Sequence, residues 1–334
     1  MASDSLAGAL ADLAGLLAAR DRIVLLAHVN PDGDALGSLL ALGQGLLALG
    51  KQATMYCQSG VPSMFAFLPG ANEVVTKLGP PSGYEVAVLL DHHDLARSGR
   101  AALSLAQGPV LAVIDHHPGL GALPGYALVD TRVSSAGELV FYLLEALGAR
   151  LTPDMAANLF VAVSTDTGSF SFSNTTPECL AVSAELVRSG ARPWELTRRL
   201  YMGRPRRRLE LLGLALKNLE FFDGGRIGAM TVTSEMMAAT GTDSYDTDGF
   251  VEYPRSVAGV ELAILFREIG PASCQVSLRS LGRVNAAELA QTFGGGGHAQ
   301  AAGFSADQPL AGLKDEVIVR SLGFLPPRSE EGRS

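Results

Sequence analysis

IVLLAHVNPDGDALGS, residues Ile23 to Ser38, decides the fold of this 334-residue chain. Ile23 to Val29 is apolar apart from His28 and too short for a helix, the pattern of a strand covered on both faces. Pro31 and Gly33 then break the chain direction. Ala35 to Leu49 follows with helical spacing of its leucines. A buried strand that turns sharply into a helix is the opening unit of a parallel α/β sheet.

Working outward, Ala53 to Gln58, Val86 to Leu90 and Val110 to Ile114 read as further strands of the same kind. Leu6, Leu10, Leu13 and Leu17 recur at helical spacing before the first strand and predict an amphipathic helix. Thr152, Pro153 and Asp154 cap and open a helix through Val163, and Pro177 to Ser189 forms another. The fold class is therefore α/β, with a mainly parallel sheet flanked by helices.

Near residue 190 the composition changes, and we place a domain boundary there. Residues 191–217 read as a linker helix, 218–325 as a smaller α/β domain and 326–334 as a loose tail. Within the second domain Arg226 to Val232, Val260 to Arg267 and Cys274 to Arg279 read as strands. Ser234 to Ala239, Ala286 to Phe293 and Leu310 to Leu322 read as helices.

Hydrophobic residues make up 47% of the chain and charged residues 18%, which excludes a disordered chain. The net charge of -8 argues against gripping long duplexes, though not against short or mononucleotide ligands. Cys57, Cys179 and Cys274 are scattered and lack metal spacing, which suits a reducing, cytoplasmic setting. No membrane partner is expected: the apolar run Leu6 to Ala19 carries Asp12 and no basic leader, and no later run reaches membrane length.

The chain has six histidines, and all lie at strand ends or beside glycines: His28, His92, His93, His116, His117 and His298. His28, Asp32 and Asp34 combine one nitrogen with two hard oxygen donors, a set suited to Mn²⁺ or a similar divalent ion. The plainer reading is that the aspartates cap the helix near Ala35. Asp91 ends one strand, and Asp115, His116 and His117 end another, so three loops converge on the carboxyl edge where such sheets bind ligands. Asp166 in STDTGSF adds a carboxylate, although alone it would read as a turn residue.

Four aspartates in one pocket call for two divalent cations to neutralise them. Two ions about 3.5 to 4 Å apart suit phosphate-ester hydrolysis. No phosphate-binding P-loop, nucleophile elbow or dinucleotide fingerprint competes with this reading. In the second domain GGGGHAQAAG could bring backbone amides of Gly295, Gly296 and Gly297 to an anion beside His298, or be a flexible loop. Arg279 and Ser280 could clamp the same phosphate, or Arg279 could be a solvated surface residue. Arg198, Arg199, Arg204, Arg206, Arg207 and Arg208 around Tyr201 could guide an oligonucleotide, or be the wet face of the linker helix.

HVNPDGDALGS, LLDHHDLARSG, VIDHHPG and STDTGSFSFSNTTP, in that order, resemble the four N-terminal motifs of the DHH phosphoesterase family. SLRS and FGGGGHAQAAGF resemble its C-terminal DHHA1 domain, and the likeness is to the NrnA-like branch. The resemblance implies a two-manganese site held by His28, Asp32, Asp34, Asp91, His116 and Asp166, with Asp91 bridging; Mg²⁺ or Co²⁺ would suit similar ligands. It implies that His117 faces the substrate phosphate, that Asp115 orients its neighbours, and that Arg279, Ser280, the glycine run and His298 hold the nucleotide.

The activity implied is cleavage of short single-stranded RNA to mononucleotides together with dephosphorylation of 3′-phosphoadenosine 5′-phosphate (pAp). A homodimer is also admitted. A phosphodiesterase for linear or cyclic dinucleotides, or a non-catalytic nucleotide-binding regulator, are the alternatives. One departure stands out: Asp91-His92-His93 duplicates the triplet Asp115-His116-His117 where the family has small or hydroxyl residues. We take Asp91 as a ligand and the later triplet as the family's own, and leave the roles of His92 and His93 open.

Overall fold

The structure, a computed structural model, describes residues 2–118, 125–203 and 205–327, with the side chains of residues 2–5 excepted. Arg204 of the basic stretch and residues 328–334 of the expected tail lie outside the described residues. The chain divides into two compact units, Met1–Gly203 and Arg204–Ser334.

The first unit opens with α1 (Ala2–Ala18), β1 (Arg22–Leu26), α2 (Gly33–Ala48) and β2 (Gln52–Tyr56). It continues with β3 (Val86–Leu90), β4 (Val110–Asp115) and β5 (Tyr126–Val129), then α3 (Ala136–Ala146), α4 (Pro153–Asp166), α5 (Pro177–Arg188) and α6 (Pro193–Tyr201). The five strands are all parallel in the order β2-β1-β3-β4-β5. The chain leaves β1 toward β2 and later crosses back to β3 on its other side. That reversal opens a crevice beyond the carboxyl ends of β1 and β3, where α/β sheets bind ligands.

Side chains alternate across the sheet as the pleat requires. Ile23 and Leu25 join the large core beneath α1 to α6, whereas Val24 and Leu26 face Ala102 and Leu105 on the opposite side. That second face is covered by short 3₁₀ segments, Leu95–Ser98 and Arg100–Gln107. α2 is apolar nearly all round and buried over 13 of its 16 residues. Its glycines allow α4 to come close: a Cβ on Gly37 would lie 2.3 Å from the Asn158 carbonyl oxygen.

The second unit holds α7 (Arg206–Lys217), β6 (Glu220–Phe222), β7 (Ile227–Val232), α8 (Ser234–Thr240) and α9 (Glu252–Arg255). It ends with β8 (Leu262–Gly270), β9 (Ser273–Ser280), α10 (Ala286–Gln291), β10 (Gly296–Gly297), β11 (Ala301–Ala306) and α11 (Leu310–Leu322). Its mixed sheet runs β10-β11-β9-β8-β7-β6, with only β7 and β8 parallel.

The linker helix expected over 191–217 is two helices, not one. Leu196 and Leu200 of α6 pack into the first core, and Leu211, Leu212 and Ala215 of α7 into the second unit. Met202 has extended backbone and Pro205 cannot continue a helix from behind, so the chain breaks there, later than residue 190.

Candidate metal centre

Three loops at the carboxyl edge of the parallel sheet, joined by the C-terminus of α4, build one cluster. After β1 the chain presents His28, Asp32 and Asp34. Asp32 caps α2 by accepting the Ala35 amide at 3.0 Å, so the capping role and a place in the cluster coexist. Asp34, 1% exposed, accepts the Ala136 amide at 2.7 Å and the Gly137 amide at 2.8 Å, besides the Ser38 hydroxyl at 3.2 Å. It therefore sits at the N-termini of α2 and α3 together, where both dipoles favour a carboxylate.

The register Leu90↔Ile114 sets the two Asp-His-His triplets side by side on β3 and β4. Their roles are nevertheless opposite. Asp91 takes a left-handed φ of 61°, while its amide still donates to the Ile114 carbonyl at 2.9 Å. The turn sends the Asp91 carboxylate into the cluster and buries His92 completely, with Nε2 2.9 Å from the Ser98 hydroxyl. Burial, helped by the charges of His28 and Arg97, lowers the His92 pKa to about 4, so this ring is neutral.

At β4 the strand continues to Asp115, and here the Asp is buried behind the cluster while His116 enters it. One Asp115 oxygen accepts the His117 Nδ1 at 2.6 Å and the amides of His116 and His117; the other accepts the His93 Nδ1 at 2.9 Å.

Three sets of ligand atoms lie within 4.8 Å of one another: His28, Asp32 and Asp91; Asp34, His116 and Asp166; and Asp91, His116 and His117. Asp91 joins them. Its Oδ2 is 3.6 Å from His28 Nε2, and its Oδ1 is 3.5 Å from His116 Nε2 and 3.4 Å from His117 Nδ1. Oδ1 is buried without a hydrogen-bond donor among the described residues, an unmet acceptor that a cation would satisfy. His28 turns its Nδ1 to the Val29 carbonyl at 3.0 Å, which leaves Nε2 free to face a cation, the usual arrangement behind a metal-bound imidazole. Nitrogen and hard-oxygen donors, partly buried and unbalanced in charge, fit divalent ions.

The electrostatics show the imbalance. Burial, then the charges of Asp91 and Asp166, push the Asp34 carboxyl well above its ordinary range. Burial likewise raises Asp166 to about 7 against the pull of His116, with Asp91 and Asp32 adding to the rise. Burial opposes protonation of His116, yet its contact with Asp91 and the charges of Asp34 and Asp166 prevail and lift it to about 10. Without cations, the cluster holds protons in their place.

Asn174 escaped the sequence reading although it lies within the quoted SFSNTTP. Its Nδ2 donates to the Ser134 carbonyl at 2.9 Å, the Asp166 carbonyl at 3.1 Å and the Asp166 carboxylate at 3.3 Å, pinning Asp166 to the start of α3. An Asn eight residues beyond a candidate ligand carries no periodic signal that would single it out.

In the second unit the expected residues divide. Ser280 is fully buried, and its hydroxyl oxygen accepts the Gly282 and Val284 amides, so it holds a turn. Arg279 lies 3.2 Å from Glu252. The glycine run is no loose loop: Gly296 and Gly297 pair with Gly303 and Ala302, and a Cβ on Gly297 would fall 2.5 Å from the Ala301 carbonyl oxygen. His298 is exposed at the hairpin turn, its amide donating to the Ala301 carbonyl at 2.7 Å. The basic stretch is held locally, Arg206 by Glu210 at 2.9 Å, Arg207 by Asp246 at 3.4 Å, and Arg199 over Phe67.

A model described as the DHH family, N-terminal domain, matches residues 22–163, and one described as the DHHA1 domain matches residues 230–319. The chain is 37% identical over 294 residues to the bifunctional oligoribonuclease and PAP phosphatase NrnA of Thermus thermophilus, covering 86% of this chain and 85% of that protein. An exopolyphosphatase-related protein from Bacteroides fragilis superposes with a TM-score of 0.86 at 25% identity, over 95% of each chain. RecJ from Thermus thermophilus in complex with Mn²⁺ shares the fold at a TM-score of 0.52 and 16% identity, over 95% of this chain and 54% of that one. With both domain models matched in order and a relative aligned along most of its length, the chain belongs to the DHH family, its DHH domain followed by a DHHA1 domain.

Proposed function

We propose that this chain is a manganese-dependent phosphoesterase that degrades short oligoribonucleotides to mononucleotides and also dephosphorylates pAp. The observation that carries it is Asp91, whose two oxygens face separate donor groups across a buried cluster. The NrnA relative, named for these two activities, supplies the substrate class. Manganese is the ion in the RecJ complex of the same fold.

His28, Asp32, Asp34, Asp91, His116 and Asp166 would hold two ions, with Asp91 between them. Bound divalent ions supply water activation and offset the charge of the phosphoryl oxygens. Asp34 is fixed by two backbone amides and Asp166 by Asn174, so these carboxylates are oriented in advance. Asp115 holds His117 through Nδ1, so any proton given to a leaving oxygen passes through Nε2. Arg279, the backbone of Gly295 to Gly297 and His298 are the second unit's candidates for gripping the nucleotide.

Among the described residues no helix is long and apolar enough to cross a membrane. Cys57, Cys179 and Cys274 are free and buried, which supports a reducing cytoplasmic setting.

The test is a time course with Mn²⁺ on 5′-labelled RNA of two to about twenty nucleotides, beside pAp, pyrophosphate and a cyclic dinucleotide. Rapid loss of the shortest RNAs, abolished in Asp91→Ala, supports the proposal. Inert RNA beside rapid turnover of pyrophosphate or the cyclic dinucleotide moves the function there, and no turnover at all points to a regulator.

A further inference from the structure

The duplicated triplet gives this chain an imidazole that the metal cluster does not use. We infer that His93 is a positioning residue for the leaving-group step, acting on His117 through the Asp115 carboxylate. Three observations carry it. Asp115 has no exposed surface, so each of its oxygens needs a donor within the protein. Oδ1 receives His117 and two amides, whereas His93 is the partner that Oδ2 has among the described residues. His93 reaches it because left-handed Asp91 turns His92 inward, so the next residue faces β4.

Without His93, one oxygen of a buried carboxylate would lose its donor, which destabilises that placement and invites the carboxylate to rotate. The rotation would carry the His117 ring with it, since Nδ1 is bound to the other oxygen of the same group. The His116 ring would keep its place, because its contacts run to Asp34, Asp91 and Asp166, while the backbone amide, not the ring, donates to Asp115. The effect falls on proton delivery, not on metal loading.

This inference rests on the phosphoesterase reading, and the experiment separates the two. His93→Leu removes the donor, and His93→Asn restores an N–H near the Nδ1 position. Each is assayed with Mn²⁺ on a dinucleotide, whose ribose leaving group needs a proton, and on a nucleoside p-nitrophenyl phosphate, whose leaving group does not. For His93→Leu we expect kcat on the dinucleotide to fall about tenfold, as removal of an outer support does. KM, bound metal and turnover of the nitrophenyl ester should change less than twofold, and His93→Asn should recover most of the loss.

In a His117→Ala background, His93→Leu should add nothing further. Equal losses on both esters, a loss of bound metal, additive effects with His117→Ala, or an unrescued Asn variant would each overturn the role. A wild-type protein inert toward both esters would instead sink the phosphoesterase reading, and this inference with it.

Discussion

Replacing Asp166 with Asn should have opposite effects on the metal-free and metal-loaded protein. Asp166 is raised to about 7 from an ordinary 3.8. An acid raised on folding holds its proton in the folded chain while the unfolded chain has released it. Stability therefore falls as pH climbs from 3.8 to 7, and the loss is complete above 7. At about 1.4 kcal/mol per tenfold change in proton affinity, the loss at pH 8 approaches about 4 kcal/mol.

The Asp166 side chain is 28% exposed and touches His116, so screening and the lost ion pair reduce the gain from Asn to about 2 kcal/mol. For a unit spanning Met1–Gly203 that is a rise of about 4–8 °C in melting temperature. Asn can still accept from Asn174, so the local fold is kept. Saturating Mn²⁺ should add about 3 kcal/mol to the wild type at a hundredfold excess over its dissociation constant, and markedly less to the variant. Calorimetry at pH 8, with chelator and then with Mn²⁺, reads both effects. A variant that melts no higher than wild type in chelator, yet gains as much from Mn²⁺, would refute both the repulsion and the ligand role.

Two further outcomes follow from the same geometry. His116, lifted to about 10 against burial by its contact with Asp91, must lose its proton to bind a cation. Metal binding at pH 8 should therefore release at least one proton, and affinity should weaken as pH falls; titration calorimetry in two buffers of different ionisation enthalpy would show equal heats if this is wrong. Gly37→Ala should destabilise by about 1–3 kcal/mol in urea titrations, because its Cβ would meet the Asn158 carbonyl at 2.3 Å. Gly15→Ala, on a helix position with nothing within 4 Å, should instead stabilise by up to about 1 kcal/mol, and equal effects would count against the tight α2–α4 approach.

The sheet and the cluster of histidines and aspartates at its edge were legible because their causes are local. Apolar runs fix β1, β3 and β4, and polar residues directly after such runs have little choice but the sheet edge. β5 was missed because Tyr-Ala-Leu-Val is four residues long, and its partner β4, not its own pattern, makes it a strand. α3 was missed although Ser135 caps it, because its helical spacing starts amid small residues. The triplets show the limit most clearly. Identical letters on neighbouring strands point opposite ways, and what separates them is one left-handed φ at Asp91, which no side-chain pattern encodes. Ser280 illustrates the converse: a polar residue at a strand end looked exposed, and it is buried with its hydroxyl oxygen holding the next turn.

Asp34 also bears on how quickly the protein can come apart. Its carboxylate is tied to amides 102 and 103 residues further along the chain. Contacts that distant close only after the intervening strands have paired, since the loop entropy must be met first. A cation held in part by Asp34, as proposed above, would then meet its full set of donors only late in folding. Its stabilisation belongs to the native side, and added metal should lengthen the lifetime of the folded chain while leaving the refolding rate as it was.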